Sequence, residues 1–207
     1  MTLKQLESIV GTLSKPSKMP CYGYSIPAWR CKVGYKMRKV AGSICSACYA
    51  LKGRYIFPSV KNAMEKRFAS LNDTEWTPSI VALIAKKEKS GYFRWHDSGD
   101  LQDIMHLTKI VCVARFLPNV KFWLPTREYN LVNRFLKDCT FPENLTVRLS
   151  SLMFDGDVTE RQNPFGLPTS GAAKDGFTCP SSKQGNKCLT CRACWDKNVG
   201  NIIYKKH

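Results

Sequence analysis

The sequence predicts an α/β protein built on parallel strands, with loop-rich, cysteine-containing segments at both ends. Three observations predict it. Between residues 92 and 153, short apolar runs of strand character alternate with amphipathic segments of roughly ten to fifteen residues, the pattern of parallel strands joined by right-handed helical crossovers. On either side of that core, Gly- and Pro-rich text carries closely spaced cysteines. The 207 residues, 43% hydrophobic, are enough to bury the core of one domain without a disulfide framework. A single domain is expected over 1–207, in three parts. These are an N-terminal helix with a first cysteine group (1–57), a βα core (58–153), and a loop, second cysteine group and final strand (154–207).

In chain order, Leu3, Leu6, Ile9, Val10 and Leu13 recur at helical spacing and predict a short amphipathic helix. From 20 to 58 no long periodic segment occurs; Gly, Pro and aromatics surround Cys21, Cys31, Cys45 and Cys48, the composition of a metal-binding loop region. Residues 59–71 and 77–91 predict two helices, the second with Thr77 as cap, Pro78 at the first helical position and Gly91 as stop. Next, "YFRWHDSGD" predicts a strand, residues 101–117 a helix stopped before Pro118, and "VKFWLPTRE" a second strand. Residues 129–139 then predict a second helix and "LTVRLSSLM" a third strand. Residues 154–178 predict an extended loop, and "VGNIIYKKH" a last strand whose end carries Lys205, Lys206 and His207.

Parallel sheets place their chemistry at the C-terminal strand ends, and here those ends are polar. His96 and Asp97 are candidates for proton transfer or ligand binding, or else cap and tie the next helix; Ser98 shares their loop. Asp100 has the chemistry of a helix N-cap or of a ligand contact. Arg127 and Glu128 offer a carboxylate and an amine partner, or pair with each other, and Ser150 and Ser151 close the third strand. His106 falls within a helical pattern and reads as surface or packing. Trp29, Trp95, Trp123 and Trp195 read as core, or as shields around a metal site.

The cysteines carry the strongest signal. A chain without a secretory leader or an 18-residue apolar run is expected in a reducing compartment with no membrane span, where thiols serve as metal ligands rather than disulfides. Cys31, Cys45 and Cys48 form C-x13-C-x2-C; Cys179, Cys188, Cys191 and Cys194 form C-x8-C-x2-C-x2-C. Two intervening residues form a turn that points consecutive sulfurs to one side, and the double x2 step is the spacing of ferredoxin-type 4Fe-4S loops. One or two 4Fe-4S clusters are expected, with Zn²⁺ as the alternative. Three ligands at the first group would leave one iron open, unless Cys21 closes it. Cys112 and Cys139 read as buried small hydrophobes. The formal charge of +16 makes nucleic acid a candidate partner, against the plainer reading of a solvated basic surface.

On "YGYSIPAWRCKVGYKMRKVAGSICSACYALKGRY", "FRWHDSGDLQD", "FWLPTRE", "CPSSKQGNKCLTCRACW" and "IIYKKH" the chain resembles the phage-encoded gene product 88 family. The resemblance implies a partial (β/α) barrel of radical-SAM-like type, with cysteines ahead of the sheet and polar strand ends facing a cluster. It also implies a phage protein in the host cytoplasm, redox or radical chemistry at an open cluster, and an electron donor protein as partner. The signature of that superfamily is C-x3-C-x2-C. Here the CxxC-aromatic ending, Cys45, Cys48 and Tyr49, matches it, and the first gap is thirteen residues. S-adenosylmethionine is the ligand the superfamily sets on such an iron. "HDSGD" stands where a "GGEP"-like stretch would, offering Asp97 and Asp100 to an amino group. The alternative function is a non-catalytic iron-sulfur or zinc protein that binds nucleic acid through its basic surface.

Overall fold

The computed structural model describes residues 1–171 and 175–205. Its centre is an open, all-parallel sheet of seven strands in the order β1-β2-β3-β4-β5-β7-β6: Gly23–Tyr24, Tyr92–Trp95, Lys121–Thr126, Leu145–Ser150, Thr169–Gly171, then β7 (Asn201–Ile203) beside β6 (Phe177–Thr178). The three predicted strands of the core are β2, β3 and β4. The predicted last strand is β7, limited to three residues; Lys206 and His207 lie outside the described residues. The predicted loop over 154–178 instead contributes β5 and β6, and a two-residue β1 precedes the group of Cys31, Cys45 and Cys48. Strands this short are held by their neighbours and leave no alternation to read.

Among the described residues, six α-helices accompany the sheet: α1 (Leu3–Val10), α2 (Lys32–Met37), α3 (Pro58–Ser70), α4 (Trp76–Lys87), α5 (Ile104–Phe116) and α6 (Tyr129–Asp138). Thr2 caps α1 through a capping box with Gln5. Two predicted caps move. α4 begins at Trp76 with Glu75 before it, so Thr77 and Pro78 lie inside its first turn, where a proline ring meets no preceding carbonyl. α5 begins at Ile104, and its cap is Asp103, whose carboxylate accepts the His106 N–H at 2.8 Å; Asp100 is released for another task.

Alternation along each strand divides the sheet into two unlike faces. Tyr24, Phe93, Trp95, Phe122, Leu124, Leu145, Val147 and Leu149 join α1, α4, α5 and α6 in the main hydrophobic core. Trp123 belongs to a second, smaller cluster with Cys21 and Trp195, flanked by Met19, Tyr92, Cys194 and Tyr204. The helices therefore pack on one face, and the C-terminal cysteine segment covers the other.

Candidate functional site

Residues 30–57 are clipped across the C-terminal strand ends. The Ile44 N–H donates to the Leu152 carbonyl at 2.9 Å, Ser43 bridges Met153, the Val33 N–H donates to Glu128 Oε1 at 2.9 Å, and the Tyr49 hydroxyl donates to the Asp97 carbonyl. This brings Cys31, Cys45 and Cys48 together over β2, β3 and β4. Cys31 stands just before α2, and the Cys48 N–H returns to the Cys45 carbonyl in the turn that the x2 spacing predicts. Gly34 in α2 leaves a cradle between them. A Cβ there would lie 3.0 Å from Cys31 Cβ and 3.6 Å from the sulfurs of both Cys31 and Cys45, so those sulfurs are at most twice that last distance apart. Burial pushes the Cys31 and Cys45 thiols up; the Asp100 carboxylate adds to this at Cys31, while the Arg127 guanidinium draws Cys45 back toward the thiolate.

The polar strand ends divide into ties and free groups. Asp100 is a tie: its Oδ1 accepts from Thr126 Oγ1 at 2.6 Å and the Leu101 N–H at 2.8 Å, its Oδ2 from the Arg127 N–H at 2.9 Å. It joins the ends of β2 and β3 rather than capping a helix, and burial pushes its carboxyl up despite these bonds. Arg127 sends Nε to the Ser151 carbonyl at 3.0 Å, and Glu128 is occupied by Val33, so the two do not pair with each other. Ser150 shares a hydroxyl contact of 3.2 Å with Ser170, and its carbonyl accepts from Tyr129. Asp97 accepts from the Tyr55 hydroxyl at 2.9 Å on one oxygen; its second oxygen and the Ser98 hydroxyl have no partner among the described residues.

His96 departs from the expectation of a group free in a cavity above the cysteines. With φ 52° it sits in the left-handed region, which turns its ring onto that of His106 at 5.2 Å. Both imidazoles are buried, and burial pushes both toward the neutral form, His106 down to about 4. His106 is a core residue, contrary to any surface reading.

The second group lies against the face of the sheet opposite the main hydrophobic core. The Cys188 N–H donates to the Lys18 carbonyl, the Cys191 N–H closes a turn onto the Cys188 carbonyl, and Cys194 Sγ meets the Tyr204 hydroxyl at 3.3 Å. Cys179 and Cys191 are electrostatic neighbours of Cys188, and Cys179 also neighbours Cys194. Cys21 belongs here too: buried beside Trp123 and Trp195, it faces Cys188, and burial raises it to about 12. It does not complete the first group. Among the described residues, no three His, Cys, Asp or Glu side chains converge as ligands of one metal ion. All ten cysteines are free thiols; Cys112 is half-buried and Cys139 exposed, beside a groove between α5 and α6, not buried as expected.

Two arginines that sequence patterning left unassigned occupy this face. Arg94 stacks over Trp123 with its Cζ 4.4 Å from the ring centroid. Burial works against its charge, but Tyr49 and Asp97 on the side of the first cysteines and Tyr204 and Cys194 on that of the second outweigh it. Arg148 is wholly buried and donates to five carbonyls, those of Thr169, Val199, Gly200, Ala193 and Asp196. It is the peg onto which the C-terminal segment fastens. Alternation in "YFRW" and "LTVRL" was the available signal, since it points both arginines away from the helices.

The family model for gene product 88 matches residues 2–197. The chain belongs to the gene product 88 family. Its members are phage gene products, and membership extends over both cysteine groups and the whole core between them. Nothing among the curated proteins or the solved structures matches the chain. No described helix is long and apolar enough to cross a membrane.

Proposed function

We propose that this gene product 88 protein is an iron-sulfur protein of the host cytoplasm whose first cysteine group presents an open cluster to the strand ends. The observation that carries this reading is the gathering of two thiol groups on one parallel sheet, Cys31, Cys45 and Cys48 in one and Cys179, Cys188, Cys191 and Cys194, joined by Cys21, in the other, with Arg94 between Cys194 of the second and Tyr49 and Asp97 beside the first. All donors are soft thiols, and the Gly34 cradle keeps side-chain bulk out of the space between Cys31 and Cys45. The double x2 step of Cys188, Cys191 and Cys194 is the spacing of a 4Fe-4S loop and favours a cubane over one Zn²⁺ ion. The strands run in chain order from β1 to β5 with the main helices on one face, the winding of a (β/α) barrel rather than of a doubly wound sheet. A partial barrel of radical-SAM type is the fold reading that follows.

In this scheme Cys31, Cys45 and Cys48 hold one 4Fe-4S cluster, and Cys179, Cys188, Cys191 and Cys194 a second. Bound clusters supply one-electron reduction, and three-thiolate ligation leaves a coordination place for a ligand such as S-adenosylmethionine. The residues around them have separate duties. Arg94 and Arg127 offset thiolate charge, Asp100 and Glu128 fix the loops that bear the cysteines, and Asp97 and Ser98 offer unpartnered oxygens to a bound molecule. Trp123 and Trp195 exclude water from the second group. An electron donor protein completes the reading.

The test is iron, sulfide and zinc quantitation on anaerobically purified protein, with EPR of the reduced protein before and after adding S-adenosylmethionine. Two clusters per chain and a shifted signal are expected. An unshifted signal removes the radical reading and leaves a redox or structural protein; zinc without iron removes the whole proposal.

A further inference from the structure

The stretch that covers the candidate site has a surface unlike the rest of the molecule. Residues 30–57 contain seven Lys and Arg and no Asp or Glu. Among the described residues, five of the twelve exposed large hydrophobic side chains fall between positions 35 and 57. Three of them are aromatic: Tyr35 is 55% exposed, Tyr49 51% and Phe57 54%. Among the described residues, only Arg30 of the seven cations is in an ion pair, with Glu65 at 3.4 Å, while Lys32 and Arg38 donate to backbone carbonyls. Lys36, Lys39, Lys52 and Arg54 form no ion pair among the described residues.

We propose that this face binds single-stranded nucleic acid, laying the strand across the mouth of the candidate site. Cations outside ion pairs take phosphates, and exposed rings take unpaired bases, the two halves of single-strand recognition. Here the halves are interleaved. Arg38 Cζ and Lys39 Nζ each lie 5.7 Å from the Tyr35 ring centroid, so a base stacked on that ring has positive charge beside its phosphate. The Tyr49 ring is set in advance: its hydroxyl is held by the Asp97 carbonyl and its edge meets Tyr55 at a centroid distance of 5.6 Å, which spares the cost of ordering it on binding. Duplex DNA fits less well, because α2, with six residues, is too short to read a groove and paired bases cannot reach the rings. A lipid surface fits less well too. Interfacial helices present a continuous apolar face, whereas here the exposed apolar side chains are spread over a short helix and single turns, only Ile56 and Phe57 being adjacent, and the hydroxyl of Tyr49 is tied to the protein.

The experiment is fluorescence anisotropy of a labelled oligothymidylate of about 20 nucleotides, longer than a single-strand site of roughly 4–16, titrated with the full chain at several salt concentrations. The iron content of each preparation and its thermal melting by circular dichroism are recorded. Tyr35→Ala/Phe57→Ala removes rings and keeps charge; Lys36→Ala/Lys39→Ala removes charge from the face; Lys86→Ala/Lys89→Ala removes the same charge from α4 and its end. Each face variant is expected to weaken binding by about tenfold or more, the α4 variant by less than about threefold, with duplex of equal length a poorer competitor. Equal losses from both lysine pairs would reduce the interaction to overall charge and overturn the proposal. So would an intact affinity in the ring variant, or a face that carries sedimentation with phosphatidylserine vesicles while oligonucleotide affinity stays unchanged. Should Tyr35→Ala/Phe57→Ala melt early, Tyr35→Leu, which keeps an apolar side chain without a ring, replaces it, with the same weakening expected and an intact affinity again overturning the proposal. Iron content and binding are read separately, so loss of the cluster reading leaves this one standing or falling by itself.

Discussion

His96 and His106 show how a single backbone angle reassigns a residue. A histidine directly after a parallel strand is the natural candidate for proton transfer, and "WHDSGD" encouraged that expectation. The left-handed φ of His96 takes the ring instead to His106, and neither ring nitrogen of His96 finds a partner among the described residues. The consequence is a pH dependence of stability. The folded protein keeps His106 neutral down to about pH 4, whereas in the unfolded chain it ionises near 6.5, so the unfolded state takes up the proton first. The contribution is whole above pH 6.5 and is lost as pH falls toward 4, on the order of 3 kcal/mol for that residue. Urea unfolding of wild type and His106→Gln across this window should show the wild type losing more stability than the variant; parallel curves would refute a neutral buried imidazole. The site residues legible in sequence were those whose spacing alone aims them, above all the cysteines. Arg94 and Arg148 were not legible, because an arginine inside a strand reads as solvent-facing until something is known to cover that face.

At the level of elements, the junction of β1 and β2 depends on a close backbone approach. The Ile26 N–H donates to the Ser98 carbonyl at 3.2 Å, and Gly99, at φ 82°, lies so near that a Cβ would stand 2.4 Å from Ile26 Cγ1 and 2.6 Å from its carbonyl oxygen. Gly99→Ala therefore meets both a strained backbone and an overlap, and a loss of about 2 kcal/mol or more is expected. Thermal melting checks it: an unchanged midpoint would mean that the loop carrying Asp97, Ser98 and Asp100 is free to move. The longer elements were readable because their periodicity is carried by many side chains, as in α5 and β4. The caps were readable only approximately. Asp100 and Asp103 both have capping chemistry, and what separates them is that Thr126 and Arg127, brought alongside by β3, claim the first. The short strands β1, β5 and β6 were unreadable, since two or three residues hold their place only through a neighbour's hydrogen bonds.

For the whole molecule, the decisive fact is that both cysteine groups share one sheet. On the proposed iron-sulfur reading, serine variants should separate them: Cys45→Ser is expected to remove the iron of the first group only, and Cys191→Ser that of the second only. Iron quantitation and EPR would refute the division if either variant emptied both sites while circular dichroism stayed native. The sequence by itself determined the alternating parallel core, the grouping of thiols by spacing, the charge of +16 and the family, because each of these is local or cumulative along the chain. Only the tertiary structure decided which groups meet. It placed Cys21 beside Cys188, across a separation no spacing rule can bridge, and it set Arg94 between the second thiol group on one side and Tyr49 and Asp97 on the other. It also spread the acid-free stretch 30–57 over the strand ends. Those juxtapositions come from the packing of one sheet face against a segment far away in the chain, and a burial pattern of that kind is a property of the folded chain alone.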